Sequence, residues 1–188
     1  MTLARASLTL AFALALAGCS PLVGATIDEP RICLLMQSQT IPAAPALPAG
    51  VVMPDQQVTW QGDLDLNSVL PGLDKPGAIT GAIHVLSLTA TATPATTDLS
   101  PITYASAAVV DGAGTPTVFM HYDRPSPVTK PYEIDLALDQ DLNLLDQLQG
   151  GVLHYQITFK GQPPSNAWTA DIETCFKAHL TLDALKVM

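Results

Sequence analysis

Hydrophobic and polar residues alternate with period two over most of the chain, the spacing of a strand with one buried and one wet face. Val58, Trp60, Leu64 and Leu66 fall on one side of such a segment, with Gln57, Thr59, Gln61, Asp63 and Asp65 on the other. Tyr132, Ile134, Leu136 and Leu138 alternate with Glu133, Asp135 and Asp139, and Leu153, Tyr155, Ile157 and Phe159 with His154, Gln156, Thr158 and Lys160. The longest case runs from Trp168 to Leu182. There Trp168, Ala170, Ile172, Phe176, Ala178, Leu180 and Leu182 oppose Thr169, Asp171, Glu173, Lys177, His179 and Thr181, and Thr174 is the one polar residue on the inward face. In the segment Arg31–Gln37 the core face is Ile32, Leu34 and Met36. Stretches 79–93, 102–111 and 117–122 add strands of less regular alternation. Separated by Pro and Gly turns, these segments predict an all-β fold, an antiparallel β-sandwich of about seven or eight strands.

Two breaks in the alternation predict single helical turns, near Asn67–Leu73 and near Asp141–Leu148, where Leu142, Leu145 and Leu148 fall three apart. They belong to a faint repeat. Asp63-Leu64-x-Leu66, Leu70 and Leu73-Asp74 line up with Asp135-Leu136-x-Leu138, Leu142 and Leu145-Asp146 at an offset of 72. The next segments, Gly81–Val85 and Gly151–Tyr155, line up at an offset of 70. A strand, helical turn and Gly-started strand would then occur twice, although chance matching of Leu-rich segments produces such a pair as readily.

The first twenty residues follow another pattern. A basic end with Arg5 leads into an apolar run from Leu8 to Leu16, broken only by Thr9, and then Leu16-Ala17-Gly18-Cys19. The run is too short to span a bilayer, which takes about 20 apolar residues, and has the parts of an export signal. Leu-Ala-Gly-Cys resembles the lipobox of bacterial lipoproteins. The resemblance implies cleavage before Cys19, a diacylglycerol on its sulfur and an acyl chain on its new amino group. Two or more chains anchor firmly where one binds only marginally. Ser20 stands where an Asp often signals retention in the inner membrane, so the expected location is the cell envelope, lipid-anchored, at the outer membrane of a Gram-negative cell. The expected organisation is residues 1–18 as cleaved signal peptide, 19–30 as lipidated tether and 31–188 as one domain. A Pro/Ala-rich stretch from Ile41 to Pro54 reads as an extended arm.

The mature chain carries a second resemblance. The run Leu88–Val110, with its Thr-rich strand, Asp98-Leu99-Ser100 turn and Ala/Ser-rich strand, and the ending Trp168–Phe176 are similar to uncharacterised envelope lipoproteins of Gram-negative bacteria. That likeness implies a β-sandwich and supplies no activity.

Charge narrows the partners. Removing residues 1–18 takes away Arg5 and leaves 7 basic against 17 acidic side chains. Such a balance argues against nucleic acid and against holding anionic head groups by charge. Once Cys19 carries lipid, Cys33 and Cys175 remain, and an exported compartment favours their oxidation. Cys33 lies opposite the core face of its strand, and Cys175 sits between Glu173 and Lys177 on the polar face of the last one. A Cys33–Cys175 disulfide is therefore expected if the first and last strands are neighbours; the alternatives are buried free thiols or an intermolecular bridge.

Candidate chemistry is thin. Copper would need Cys175, His179 and Met188 with His84 or His154. Cys175 and His179 lie on one strand face four residues apart, however, or roughly 13 Å, too far for one ion. Asp63-x-Asp65-x-Asn67 and Asp139-x-Asp141-x-Asn143 begin like a calcium loop but lack its glycine at position six and its final glutamate. The first spacing reads as the polar face of a strand, the second as aspartates capping a helical turn. No Gly-x-Ser-x-Gly or His-Glu-x-x-His occurs, and His121-x-Asp123 reads as a surface pair. Trp60 and Trp168 read as core side chains ahead of a sugar-stacking platform. No metal or cofactor is expected. The expected function is that of a non-enzymatic envelope lipoprotein, bound to the membrane through its N-terminal lipid, whose β domain engages an envelope protein or serves a structural role. The alternative is a carrier of an apolar ligand or lipid, with an enzyme third.

Overall fold

The computed structural model describes residues 25–45, 55–70, 73–74 and 79–182. Cys19 and the signal segment, most of the Pro/Ala-rich arm and Met188 lie outside the described residues. Eight strands follow in order: β1 (Ala25–Ile41), β2 (Gln56–Asp65), β3 (Ile79–Ala92), β4 (Ile102–Val110), β5 (Pro116–Asp123), β6 (Glu133–Leu138), β7 (Val152–Gly161) and β8 (Trp168–Leu182). Short 3-10 turns at Leu66–Ser68 and Leu144–Gln147 follow β2 and β6. All strands pair antiparallel in one curled sheet of order β1-β8-β3-β6-β5-β4-β7-β2. Its narrowest joint is between β5 and β6, where only Met120 with Leu138 and His121 with Ala137 are paired.

The alternating apolar residues account for this arrangement. Val58, Trp60 and Leu64 of β2, Leu153, Tyr155, Ile157 and Phe159 of β7, and Ile172, Phe176 and Leu180 of β8 are all buried in one core. Curling brings distant strands face to face: the Tyr155 hydroxyl of β7 donates to Met36 Sδ of β1 at 3.3 Å. Ile32, Leu34 and Met36 pack on the core from the edge strand β1 and are only partly buried. Two inward assignments and one outward one need correction. Tyr132 and Leu138 are exposed, 39% and 44%: Tyr132 lies just before β6 and Leu138 is its last residue, where no buried layer closes over the side chain. Cys175 is 1% exposed despite its polar-face position, since β8 runs between β1 and β3 and its neighbours close over it. Residues 25–30, expected in the tether, are strand, since β1 starts at Ala25.

The repeat has a topological counterpart. Replacing β1–β4 by β5–β8, and the reverse, maps the ladders β1·β8 onto β5·β4, β8·β3 onto β4·β7 and β3·β6 onto β7·β2. The ladder β5·β6 maps onto β1·β2, a pairing not present among the described residues. Every strand of the first half thus lies beside strands of the second half alone. The glycines of the repeat, Gly81 and Gly151, both take positive φ, 128° and 83°, a backbone open to glycine at little cost. The offset of 72 does not persist through the turn. Leu66 is buried at the first turn, its counterpart Leu138 is exposed, and Leu144 takes the buried place in the second.

Strand direction gives the fold two ends. At one, β1 begins and β8 finishes, and the two 3-10 turns and the Asp111–Thr115 hairpin lie there. At the other, the connections 93–101, 124–132 and 162–167 meet the end of β1. These loops hold one another through backbone bonds: Ala44 N to Pro164 O at 3.1 Å, Leu99 N to Pro131 O at 2.7 Å and Gln162 N to Pro101 O at 3.1 Å. Pro42, Pro45, Pro94, Pro101, Pro125, Pro127, Pro131, Pro163 and Pro164 all belong to this end.

Candidate functional site

Each of the four histidines meets an aspartate. His154 Nδ1 lies 2.6 Å from Asp63 Oδ1, its direct neighbour across the β2·β7 ladder. His84 Nδ1 lies 2.5 Å from Asp141 Oδ1, and His179 Nδ1 is 3.7 Å from Asp28 Oδ1 across β1·β8. These three pairs lie toward the end where β1 starts. His121 stands at the β5·β6 joint, with Nδ1 on Asp139 and Nε2 3.2 Å from Asp123 Oδ2. The sequence exposed only the last of these contacts, because two residues on one strand need no register to be found together. The others depend on which strands are neighbours.

His121 is the nearest approach to a catalytic group. Ser106 lies opposite it on β4, so serine, histidine and aspartate share a patch of the sheet. A general base needs a ring nitrogen within reach of the hydroxyl proton. Both nitrogens of His121 face carboxylates instead, which leaves neither to activate Ser106. The ring also stacks on Tyr104, 6.3 Å between centroids at 16°, and Lys160 Nζ sits 5.3 Å from the Tyr104 ring. This row of Lys160, Tyr104 and His121 is suited to surface recognition through stacking and charge.

Cys33 and Cys175 are joined by a disulfide between directly paired residues of β1 and β8, with Cα atoms 4.0 Å apart. That separation is shorter than the 4.4–6.8 Å usual for disulfides. Cys175 therefore has no thiolate for the copper set. The calcium-like segments are also spoken for. Asp63 and Asp139 meet histidines, and Asp65 caps the first 3-10 turn by accepting from Asn67 N at 2.9 Å. The second turn is capped by Asn143, not by an aspartate; Asp141 turns to His84. Trp60 and Trp168 are both 6% exposed, which leaves neither ring free as a platform.

Two clefts open at the proline-rich end, and neither was visible in the alternation. One, about 250 Å³, lies between Tyr122, Val128, Lys130 and Asp135. Lys130 is held there by hydrogen bonds to Asp135 at 2.8 Å and to Glu133, which raise its pKa and fix its position. Burial pushes the Tyr122 phenol up from the usual tyrosine range. The other cleft, about 310 Å³, is lined by Asp98, Gln162, Ser165, Asn166 and Trp168. Hydrogen bonds from the Ser100 hydroxyl and backbone N–H lower the Asp98 pKa. Both clefts mix polar and apolar surface and are bordered by proline-containing loops. The one signal in the sequence that could have pointed here is the clustering of proline in the connections.

Comparison with known proteins adds no name to these features: no family model, no curated protein and no solved structure matches the chain.

Proposed function

We propose that this chain is a bacterial envelope lipoprotein, anchored through Cys19 at the outer membrane, whose non-catalytic β domain binds an envelope protein through its proline-rich end. The leader and Leu16-Ala17-Gly18-Cys19 support the anchor. The observation that carries the binding surface is the placement of both clefts. Cys19 is six residues from Ala25, a reach of roughly 20 Å at full extension. β1 then runs 17 residues away from that point, roughly 50 Å of strand, and finishes beside the clefts. A short tether at one end leaves the opposite end facing away from the lipid, where a partner meets it. We further read the curled sheet as a two-layer sandwich, β1-β8-β3-β6 over β5-β4-β7-β2, supported by the narrow β5·β6 joint.

An apolar-ligand carrier has less in its favour. The space enclosed by Leu64, Leu88, Phe119, Leu153, Tyr155 and Thr174 is about 10 Å³. That is room for one water, against the several hundred Å³ of a ligand pocket.

Photo-crosslinking residues placed in living cells at Thr129 and Ser165 test the surface, with Ala113 at the opposite end as control. The expected result is one envelope protein, identified by mass spectrometry, joined from both cleft positions and not from Ala113. Capture from Ala113 alone, or from no position, sinks the reading.

A further inference from the structure

We infer that the Cys33–Cys175 disulfide is a thiol-exchange site with a fixed polarity, in which Cys33 receives the incoming sulfur and Cys175 leaves as a thiolate steadied by Arg31. This rests on the geometry around the disulfide and does not depend on lipid attachment.

Arg31 and Cys33 are two apart on one strand and so share its outer face. The β1·β8 register breaks between Glu29 and Ile32, leaving Pro30 and Arg31 outside the regular rungs. From there Arg31 Nε lies 3.3 Å from Cys33 Sγ and Nη2 lies 3.4 Å from Cys175 Sγ. The two sulfurs differ in access. Cys33 is exposed on the edge strand, whereas Cys175 is 1% exposed on β8. An incoming thiolate therefore has one sulfur to attack.

The electrons follow from that asymmetry. The thiolate of a thiol-bearing partner bonds to Cys33 Sγ, the Sγ–Sγ bond breaks, and its electron pair leaves on Cys175. A second thiolate attacks the partner's sulfur, forming a disulfide between the two outside thiols and releasing Cys33. Two thiols lose two electrons and two protons, and the protein's cysteines gain them. Guanidinium beside a thiolate lowers its pKa, and a leaving thiol of lower pKa departs faster. The neutral disulfide gains much less from that charge, so Arg31 favours the reduced pair. Glu173 acts in the opposite sense, since one of its carboxylate oxygens lies within 4.8 Å of both sulfurs.

The test uses the full-length protein in detergent, equilibrated with reduced and oxidised glutathione and then acid-quenched and alkylated. Peptide mapping of the wild type should find glutathione on Cys33 and not on Cys175. Arg31→Gln should lower the equilibrium constant for reduction about tenfold and slow the exchange, Arg31→Lys should recover part of it, and Glu173→Gln should move it the other way. The wild-type mapping stands even if a variant folds poorly. Glutathione on Cys175, thiols released only on unfolding, or Arg31→Gln and Glu173→Gln both within twofold of wild type would overturn the assignment.

Discussion

Asn143 and Gly81 lie 62 residues apart and are joined by a single side chain: Asn143 Nδ2 donates to Gly81 O at 3.3 Å. Asn143 Oδ1 meanwhile accepts from Ile83 N at 3.0 Å and from Leu145 N at 3.2 Å. One amide thus caps the second 3-10 turn and fastens the start of β3. Asn67 does the reciprocal work, donating from Nδ2 to Gly150 O at 3.0 Å just before β7. The asparagine of each half fastens a strand of the other.

Asn143→Ala removes an N-cap and leaves the Ile83 N–H without its partner. The expected cost is about 1–3 kcal/mol. Asn143→Asp, which keeps the acceptor and loses the donor, should cost less. Urea unfolding midpoints measure both, and equal midpoints for all three proteins would remove the clasp from the account.

Phe176 and Lys177 are adjacent on β8 and face opposite ways. Phe176 is fully buried and Lys177 exposed. Phe176→Ala should destabilise by about 3–5 kcal/mol and Lys177→Ala by no more than roughly 0.5 kcal/mol. Midpoints that shift equally, or in reverse order, contradict the facing of the whole strand.

Burial pushes the Tyr155 phenol well above the ordinary tyrosine value of 10.0. The folded protein keeps this proton where the unfolded chain has released it. The stability it contributes is therefore full below about pH 10 and declines as pH rises beyond that. Tyr155→Phe should flatten the fall in stability above pH 10 relative to wild type, while losing the bond to Met36 at every pH. Denaturant titrations at several alkaline pH values decide it; parallel curves for the two proteins would leave Tyr155 without a part in the decline.

Cys19→Ala should abolish incorporation of a fatty-acid analogue and leave soluble protein or uncleaved precursor. Labelling that persists in the variant is the outcome that refutes lipid attachment at this residue.

The strands were legible because burial writes period two into a sequence wherever one face is covered. Seven of the eight had near-correct limits from Val58, Leu153, Phe176 and their neighbours. β1 was read too short: Ala25–Pro30 carries Asp28, Glu29 and Pro30, and an edge strand tolerates a bulge and a proline that an inner strand does not. Leu138 was misplaced because alternation says which way a side chain points and not whether a neighbour is there to cover it. Cys33 and Cys175 were legible as a pair from count and facing. The other histidine–aspartate contacts were not: His154 with Asp63 and His179 with Asp28 meet through register, and His84 with Asp141 and His121 with Asp139 through the course of the connection after β6. The clefts at Lys130 and Asn166 depend on loop shape, to which alternation contributes nothing.

The crossed arrangement of the two halves bears on how such a chain reaches its fold. No ribbon of neighbouring strands is complete from β1–β4 alone, because these strands lie beside β5–β8 throughout. A nascent polypeptide of this order has no neighbouring pair of strands until β5 has emerged, and β1 has no partner until β8 has; that last contact spans nearly the whole domain, which slows its formation. The first strand of the chain thus waits for the last, and β8 acts as the key that locks β1 into the sheet.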